Sequence, residues 1–423
     1  MKVTIWGNEL LAWTSAAALA ESGNHVVLVN NEHELPDEVE TEFKVSNEPG
    51  LEQLLTETKA TGRLAMGTDQ LGINHASVHI LALNPDQFGT AELLIARLSA
   101  KHSNNLLIIN QSNFGVGSTD RLQNRLDACN NQVISYIPNM LAEGTALQDY
   151  KTPLTYIIGC TNDWAMLNIK ALFRPFSQVT TQWLLMTSKE AEFTKFANTG
   201  MLALRLGYIN ELANLADQLD VDIEVIRAAM ITDPRIGPHY LHPGCGFGGL
   251  HFQQYIEALS ELLSETRNSK LLDTVLTENE KQKEQPFRKL WRHYDCDLEK
   301  RTISIWGLSF KAGTASIDNA PSLKIIDALL AQNCKIQVHD PEAMSNIQKY
   351  FGDHSTLTYC DNSYDALKGS DALLLLTDWP EYWSPDLDKM KELMINPLII
   401  DGRNLLDKEL LVNSGFKYYG VGR

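Results

Sequence analysis

The stretch that decides the fold is MKVTIWGNELLAWTSAAALAESGNHVVLVN, residues 1–30. Two short apolar runs, KVTIWG and HVVLVN, flank a longer run with a helical pattern. Strands that are buried between helix layers are apolar on both faces, and neighbouring parallel strands need a crossover connection, usually a helix. Residues 1–30 therefore predict the first strand, helix and strand of a parallel sheet.

The same alternation fills the first and the last third of the chain. Later strand candidates are SVHILALN, NLLIINQ and QVISYIP in the first third, and TISIWGLSF, CKIQVHDP, DALLLLTDW and PLIIDGRN in the last. Ile-Trp-Gly closes the first strand candidate of each third, at residues 5–7 and 305–307. We predict an α/β fold with two Rossmann-like, doubly wound parallel-sheet lobes, each with a ligand crevice at its strand ends.

The middle of the chain, residues 187–285, shows no convincing strand. A long helical pattern starts near Ser188 or Lys189, and Gly200 and Gly207 lie about two turns apart within it. Small residues at that spacing permit close packing with another helix, in the same chain or across a dimer. The charged stretch 277–301 then predicts a solvated connection into the last lobe. The predicted divisions are 1–186, 187–298 and 299–423.

Composition excludes several classes of protein. Lys+Arg 36 against Asp+Glu 53 gives a net charge of −17, which argues against a general nucleic-acid-binding surface. No run approaches the roughly 20 apolar residues of a membrane span, and the N-terminus lacks a signal-peptide pattern. The six cysteines lack metal-ligand spacing. We expect a cytoplasmic protein with reduced, mostly buried thiols and without metal, membrane or nucleic-acid partners.

Nine short segments follow one another in a fixed order: EPGLEQLL (48–55), GVGSTDRL (115–122), AEGTA (142–146), NELANLA (210–216), DPRIG (233–237), GFGG (246–249), GLSFKAGT (307–314), TDWPEY (377–382) and DGRN (401–404). In these segments and their order the chain resembles the UDP-glucose/GDP-mannose 6-dehydrogenase family from its first residue to its last. The resemblance implies an N-terminal NAD lobe, a long central helix with a helical dimerisation domain, and a C-terminal nucleotide-sugar lobe. It implies a homodimer, NAD as cofactor and a UDP-sugar as ligand, whose C6 hydroxyl is oxidised to a carboxylate with two NAD reduced in succession.

The resemblance also locates the catalytic positions, several of which are altered. His251 occupies the position of the family's cysteine, whose thiolate adds to the aldehyde before the second hydride transfer. Tyr255 occupies the position of an aspartate that assists proton transfer. Lys195 matches a lysine that stabilises an oxyanion, and Glu143 matches a retained glutamate. His251 is either a base for a single oxidation or a hydrogen-bonded histidine without a chemical role.

Further positions of the family's active site differ as well. Asn113, Asn139, Thr199 and Gln254 replace a threonine, a glutamate, an asparagine and a lysine. Cys245 lies six residues before His251 and would need a different backbone course to act in its place. We therefore expect impaired or absent dehydrogenase activity. The alternative is an active NAD-dependent UDP-sugar 6-dehydrogenase that makes a UDP-uronic acid for polysaccharide biosynthesis.

The cofactor positions implied by the resemblance are Gly7, Asn30 and Ser112. A dinucleotide fingerprint needs glycine at its second position, so that the backbone can approach the pyrophosphate. In GNELLA, residues 7–12, Gly7 keeps its place but Glu9 brings a carboxylate to that second position. Asn30 replaces the acidic residue that holds the ribose. We expect weak binding of NAD in the usual pose.

The nucleotide-sugar positions are better preserved. By resemblance they are Arg235, Phe247, Gly248, Gly249, Lys311 and Arg403. An acidic pair after FKAGT has become Ala315 and Ser316, and the arginine two positions on has become Asp318. Each retained cation has an alternative explanation as an ordinary surface ion pair. We predict partial retention of nucleotide-sugar binding.

Overall fold

The computed structural model describes residues 1–30 and 48–423. They group into two compact units, Met1–Ala197 and Asn198–Arg423. Each unit is built on one sheet whose strands are parallel throughout or nearly so, with helices in the connections. The predicted α/β fold with two Rossmann-like sheets and a long central helix is confirmed.

Within residues 1–30 and 48–197, the first unit forms an eight-stranded sheet. Its strands are β1 (Lys2–Trp6), β2 (His25–Val29), β3 (Leu64–Gly67), β4 (Val78–Leu81), β5 (Leu106–Asn110), β6 (Gln132–Tyr136), β7 (Thr155–Gly159) and β8 (Gln182–Met186). Their order is β3-β2-β1-β4-β5-β6-β7-β8. The order reverses between β1 and β4, which creates a switch point at which such sheets bind ligands. β7 runs antiparallel to β6, and β8 is parallel to β7.

The helices of the first unit are α1 (Leu10–Glu21), α2 (Leu51–Ala60), α3 (Asp69–His75), α4 (Phe88–Lys101), α5 (Ser118–Gln123), α6 (Ala146–Lys151) and α7 (Asp163–Phe173). Short 3-10 turns occur at Pro85–Gln87, Ala128–Asn130 and Arg174–Phe176. α1 is buried on every side from Ala12 to Ala20, and it packs against α2 and α6. A helix that is apolar all round belongs in an interior, as the alanine-rich sequence of α1 indicates.

The second unit contains a six-stranded parallel sheet in the order β11-β10-β9-β12-β13-β14. These strands are β9 (Thr302–Trp306), β10 (Lys335–His339), β11 (Leu357–Tyr359), β12 (Ala372–Leu375), β13 (Leu398–Asp401) and β14 (Lys417–Tyr419). Its helices are α9 (Ile223–Met230), α10 (Leu250–Arg267), α11 (Leu271–Gln282), α12 (Gln285–His293), α13 (Pro321–Ala331), α14 (Met344–Phe351), α15 (Ser363–Ala366), α16 (Leu387–Leu393) and α17 (Lys408–Asn413), with a 3-10 turn at Pro380–Tyr382.

The 32-residue helix α8 (Ser188–Leu219) contains the boundary between the units and begins where the sequence predicts. A Cβ atom added at Gly200 would lie 2.8 Å from Leu259 of α10, and one at Gly207 would lie 3.3 Å from Val275 of α11. Both glycines thus permit close packing inside the chain. The sequence left open whether Gly200 and Gly207 pack within the chain or across a dimer. The structure shows that both pack within the chain.

The charged stretch 277–301 is helical over much of its length, in α11 and α12. Lys283 and Leu290 are fully buried there. The prediction of a solvated connection is therefore wrong for these residues. Lys283 can be buried because its Nζ forms an ion pair with Oε1 of Glu280 at 2.6 Å, and a charge-rich sequence does not reveal such a pair.

All six cysteines are free thiols, and four of them, Cys160, Cys245, Cys334 and Cys360, are buried. This confirms the predicted reduced and mostly buried thiols. Within residues 1–30 and 48–423, no helix is both long enough and apolar enough to cross a membrane.

Candidate active site

The turn after β1 is shaped by the first glycine of the fingerprint. A Cβ atom at Gly7 would lie 2.1 Å from the carbonyl oxygen of Ala82, which follows β4. The Gly7 N–H donates to the carbonyl of Val29 at 3.1 Å. Only glycine allows the chain to cross the end of β4 this closely, so Gly7 keeps the structural role that the fingerprint gives it.

The second fingerprint position carries Glu9, which is the N-cap residue of α1 and has extended backbone dihedrals. The N-terminus of a helix attracts anions, and in a dinucleotide site the pyrophosphate is that anion. Here Glu9 is the residue at that N-terminus, and its side chain makes no capping hydrogen bond to α1. Asn30, partly buried, directly follows β2. The turn keeps its crossing glycine, but its side chains do not fit the usual pyrophosphate site.

Ser112 joins the loops that follow β4 and β5. Its hydroxyl accepts a hydrogen bond from the Leu83 N–H at 2.8 Å, and its own N–H donates to Oδ1 of Asn110 at 3.0 Å. Ser112 is 2% exposed. This residue therefore fixes the loop geometry near the switch point.

Glu192 of α8 is a site residue that the sequence did not single out. Its carboxylate accepts hydrogen bonds from the N–H groups of Gly117 (2.5 Å) and Thr119 (2.8 Å). It also accepts from the hydroxyls of Ser118 and Thr119, both at 2.7 Å. The buried carboxylate thus binds the turn at the start of α5, within the segment GVGSTDRL (115–122).

Lys195 lies one helical turn beyond Glu192 on α8, partly buried. Burial lowers the pKa of Lys195 from 10.5 to about 8, because removing water disfavours the ammonium form. A lysine with such a pKa can stabilise an oxyanion and exchange a proton near neutral pH. The lowered pKa is compatible with the role predicted for Lys195, which stays a prediction.

Glu143 lies in a loop, 142–146, that another buried carboxylate holds. Glu48 accepts hydrogen bonds from the Gly144 N–H at 2.6 Å and from the Leu147 N–H at 3.4 Å. Asn139, at the position of a family glutamate, accepts from the Leu141 N–H at 3.0 Å. The local loop is well fixed, although one of its two acidic positions is now an amide.

In the second unit, three side chains hold the glycine-rich loop 244–249. Asn279 of α11 accepts from the Phe247 N–H at 2.8 Å and donates to the Phe247 carbonyl at 2.9 Å. Asn210 of α8 accepts from the Gly244 N–H at 2.9 Å, and Gln282 donates to the Gly244 carbonyl at 2.8 Å. These hydrogen bonds therefore fix the backbone conformation of the loop at Gly244 and at Phe247.

Gly248 and Gly249 lie directly against the loop that follows β9. A Cβ atom at Gly248 would lie 2.7 Å from the carbonyl oxygen of Asn319, and one at Gly249 would lie 3.0 Å from the ring of Phe310. The Gly249 N–H donates to the carbonyl of Asp318 at 2.8 Å. Packing alone therefore favours glycine at both positions.

Arg403 and Lys311 border the same loop. Arg403 follows β13 and donates to the carbonyls of Leu376 (2.7 Å) and Phe310 (3.2 Å). A Cβ atom at Gly244 would lie 3.4 Å from its guanidinium. Lys311 Nζ lies 5.7 Å from the centroid of the Phe310 ring. The structure therefore brings Phe247, Gly248, Gly249, Lys311 and Arg403 together.

Arg235 is not part of this group of contacts. Its side chain is 87% exposed and forms an ion pair of 2.6 Å with Asp233, two residues away. Within one chain it behaves as the surface ion pair that the sequence left open as an alternative.

The position of the family's nucleophile lies in the first turn of α10. His251 and Tyr255 are one helical turn apart, and their rings stack with centroids 6.2 Å apart and planes 17° apart. Cys245 is fully buried, and its thiol donates to the carbonyl of Leu376 at 3.7 Å. Burial raises the pKa of Cys245. The thiol nearest in sequence is thus enclosed and largely protonated at neutral pH.

Sequence reasoning missed Glu192, Asn279 and Gln282. Asn279 and Gln282 lie in the stretch that was predicted to be solvated, where charge-rich neighbours hide their burial. Asn210 had a signal, because it is the first residue of NELANLA. For the residues that the structure describes, no group of three or more His, Cys, Asp or Glu is arranged to hold a metal ion.

Comparison with known proteins gives three consecutive matches along the chain. Residues 1–177 match the NAD binding domain of the UDP-glucose/GDP-mannose dehydrogenase family. Residues 189–281 match the central domain of the same family, and residues 304–408 match its UDP binding domain. The matches follow the order of the sequence.

Individual proteins extend the same likeness over the full length. The chain is 32% identical to a UDP-glucose 6-dehydrogenase of Pseudomonas aeruginosa, covering 100% of this chain and 98% of that protein. It is 30% identical to the UDP-glucose 6-dehydrogenase TuaD of Bacillus subtilis, with coverage of 100% and 93%. A solved UDP-glucose dehydrogenase from Pyrobaculum islandicum shares the fold, with a TM-score of 0.85, 24% identity and coverage of 100% and 97%.

Proposed function

The chain belongs to the UDP-glucose/GDP-mannose dehydrogenase family, and we propose that it binds a UDP-sugar without oxidising it to the acid. The observation that carries this proposal is the first turn of α10, where His251 and Tyr255 stack on each other. Cys245, the neighbouring thiol, is fully enclosed. The chain therefore has a site for the nucleotide sugar but not the nucleophile of the second oxidation.

The chemistry of that oxidation explains why the acid cannot form without a suitable nucleophile. An aldehyde gives up hydride only after a nucleophile has added to its carbonyl carbon. A thiolate would add to give an anionic thiohemiacetal, which becomes a neutral thioester when it loses hydride to the oxidant, and water then cleaves the thioester. A neutral imidazole at position 251 would form a zwitterionic adduct, and its imidazolium group, directly bonded to the reacting carbon, makes the adduct a poor hydride donor. The step from aldehyde to acid is therefore the one that this chain lacks.

We further propose that NAD binds weakly. The match to the NAD binding domain supports NAD as the cofactor of this lobe, whereas Glu9 opposes it locally. A carboxylate about 4 Å from one phosphate charge costs about 4 kcal/mol at an effective dielectric constant of about 20. That energy corresponds to a dissociation constant larger by about three orders of magnitude.

The second unit supports the binding of a UDP-sugar. Its glycine-rich loop is held by Asn279, and Lys311 and Arg403 lie beside it. Cations on fixed loops are suited to contact a diphosphate. The match of residues 304–408 to the UDP binding domain agrees with this assignment.

We also propose a homodimer that forms through α8. Met201, Tyr208 and Leu215 repeat every seven residues, and each is about half exposed, at 57%, 57% and 47%. Leu219 extends the stripe with 61% exposure. An apolar stripe at this spacing on a long helix is suited to pack against the same stripe of a second copy.

The second candidate function is an active UDP-sugar 6-dehydrogenase that supplies a UDP-uronic acid for polysaccharide biosynthesis. The pKa of Lys195, lowered to about 8 by burial, favours this candidate, as does the retention of Glu143. Full-length identity of 32% to a UDP-glucose 6-dehydrogenase supports it as well.

Calorimetric titration tests the proposed binding. We expect heat of binding with UDP and with UDP-glucose, and at least 100-fold weaker binding of NAD. Lys311→Ala should weaken the affinity for UDP by about tenfold, the value of one charge-assisted contact. Lys300→Ala, at a lysine whose side chain is 85% exposed, is the matched control and should leave it unchanged. Absence of UDP binding, or tight binding of NAD, would contradict the proposal.

A further inference from the structure

β8 forms one edge of the eight-stranded sheet. It is the last strand in the sheet order of the first unit and pairs with β7. Leu184 and Leu185 in this strand are 45% and 53% exposed. Two more exposed apolar residues adjoin it, Leu154 at 83% and Val179 at 106%. Exposed apolar edge strands pair readily with another strand.

Sequence features that normally prevent such pairing do not occur in β8. Residues 177–188, SQVTTQWLLMTS, contain no charged residue, no proline and no glycine. Among the other edges in the described parts of the chain, β3 directly follows Arg63, β14 begins at Lys417, and β11 has three residues. Charges and short edges discourage edge-to-edge association. β8 alone among these four edges combines length with a neutral apolar sequence.

The hydrogen bonds show which main-chain groups β8 directs outward. The Gln182 N–H donates to the carbonyl of Leu154, and the Met186 carbonyl accepts from the Cys160 N–H, so both residues face β7. Hydrogen-bonding direction alternates along a strand. Trp183 and Leu185 therefore point their N–H and carbonyl groups away from β7. The Trp183 ring itself is held against Tyr156, with centroids 4.6 Å apart.

We propose that two copies of the chain pair antiparallel through β8, around a two-fold axis at Leu184. In this register Trp183 of each copy lies opposite Leu185 of the other and exchanges two main-chain hydrogen bonds with it, as such pairs do in antiparallel sheets. The two Leu184 side chains face each other across the axis and shield one another from water. The residues of this contact are not those of the proposed UDP-sugar site or of the apolar stripe of α8.

Charge identifies the second copy as the occupant. The chain carries a net charge of −17, so most of its surface repels another copy. Residues 177–188 form a strip without charged side chains, so an identical strip brings no like charge from these residues. Lys170 of α7 lies beside the strip, with Nζ 5.9 Å from the centroid of the Trp183 ring. The strip itself offers a charged peptide or a nucleic acid no opposite charge. A self-complementary neutral edge also satisfies both copies equally, as a two-fold contact requires.

Disulfide trapping tests the register. Directly opposite residues in a non-hydrogen-bonded antiparallel pair have Cα atoms about 4.5 Å apart, within the range of about 4.4–6.8 Å for disulfides. In full-length protein with Cys129→Ser and Cys296→Ser, which remove the exposed native thiols, Leu184→Cys should form a disulfide-linked dimer with a mild oxidant. Leu167→Cys, at a leucine of α7 that is 69% exposed, is the control and should stay monomeric on the same non-reducing gel.

Sedimentation of the otherwise native chain gives an independent measurement. Leu184→Lys places two like charges opposite each other and should halve the mass of the assembly, whereas Leu184→Thr should reduce it less. Equal cross-linking at positions 184 and 167, or an unchanged mass for Leu184→Lys, would overturn the proposal. A dimer that forms through α8 does not alter these outcomes, because its contact lies elsewhere on the chain.

Discussion

Asn279→Ala tests whether one buried side chain fixes the glycine-rich loop of the second unit. Asn279 is 4% exposed and makes both of its hydrogen bonds to the main chain of Phe247, at 2.8 and 2.9 Å. Alanine removes both bonds and leaves the N–H and the carbonyl of Phe247 without these partners. At about 1–2 kcal/mol for each group, the loop should lose about 2–4 kcal/mol of stability against local opening.

Hydrogen exchange measured by mass spectrometry reads this loss directly. Exchange of the Phe247 amide reports local opening, so a loss of about 2–4 kcal/mol should accelerate it by about 30-fold or more. Asn124→Ala, at an exposed residue that ends α5, is the control and should leave exchange of residues 242–252 unchanged. If Asn279→Ala changes the exchange of these residues by less than twofold, the loop is held by other contacts and the reasoning is refuted.

Three further predictions concern the buried polar groups. Glu192→Ala removes the acceptor of four hydrogen bonds and should lower the free energy of unfolding of the first unit by about 3–5 kcal/mol in urea denaturation, whereas Glu192→Gln should lose about half as much. An effect of Glu192→Ala below 1 kcal/mol would contradict this. Iodoacetamide should modify the native protein at Cys129 and Cys296. It should modify Cys245 only after unfolding, because burial encloses that thiol and raises its pKa. Rapid labelling of Cys245 in the native state would contradict this prediction. The pKa of Lys195 falls from 10.5 to about 8 on folding, so the folded state disfavours its protonated form. Below pH 8, the free energy of unfolding of Lys195→Met should therefore exceed that of the native chain by about 2–3 kcal/mol. This difference should shrink as the pH rises towards 10.5. A difference that does not depend on pH would contradict burial as the cause of the lowered pKa.

Residues 1–30 were sufficient to predict the first strand, helix and strand, because strands buried on both faces and an alanine-rich helix leave a strong pattern. The start of α8 at Ser188 was predictable for the same reason, since the periodicity changes there. The edge strands β3, β8, β11 and β14 and the inner strand β7 were missed, because short or partly exposed strands have no long apolar run. The reversal of β7 depends on one contact between Tyr136 and Gly159, which no local pattern encodes.

The site was predictable where residue type alone decides. Gly7, Gly248 and Gly249 are required by close approach of the backbone, and their positions in the sequence indicate it. The roles of Asn279 and Glu192 depend on contacts between residues that are far apart in sequence, so they needed coordinates. The domain divisions at 186/187 and 298/299 stay predictions, and the two compact units meet within α8 at 197/198.

The most direct test of the central claim is the absorbance at 340 nm of purified protein with UDP-glucose and NAD, for the native chain and for His251→Cys. We predict no steady formation of NADH by either protein, and no UDP-uronic acid by mass spectrometry, because the native chain has histidine instead of cysteine at position 251 and Glu9 remains in both. Steady NADH formation by the native chain, accompanied by the acid, would contradict the account.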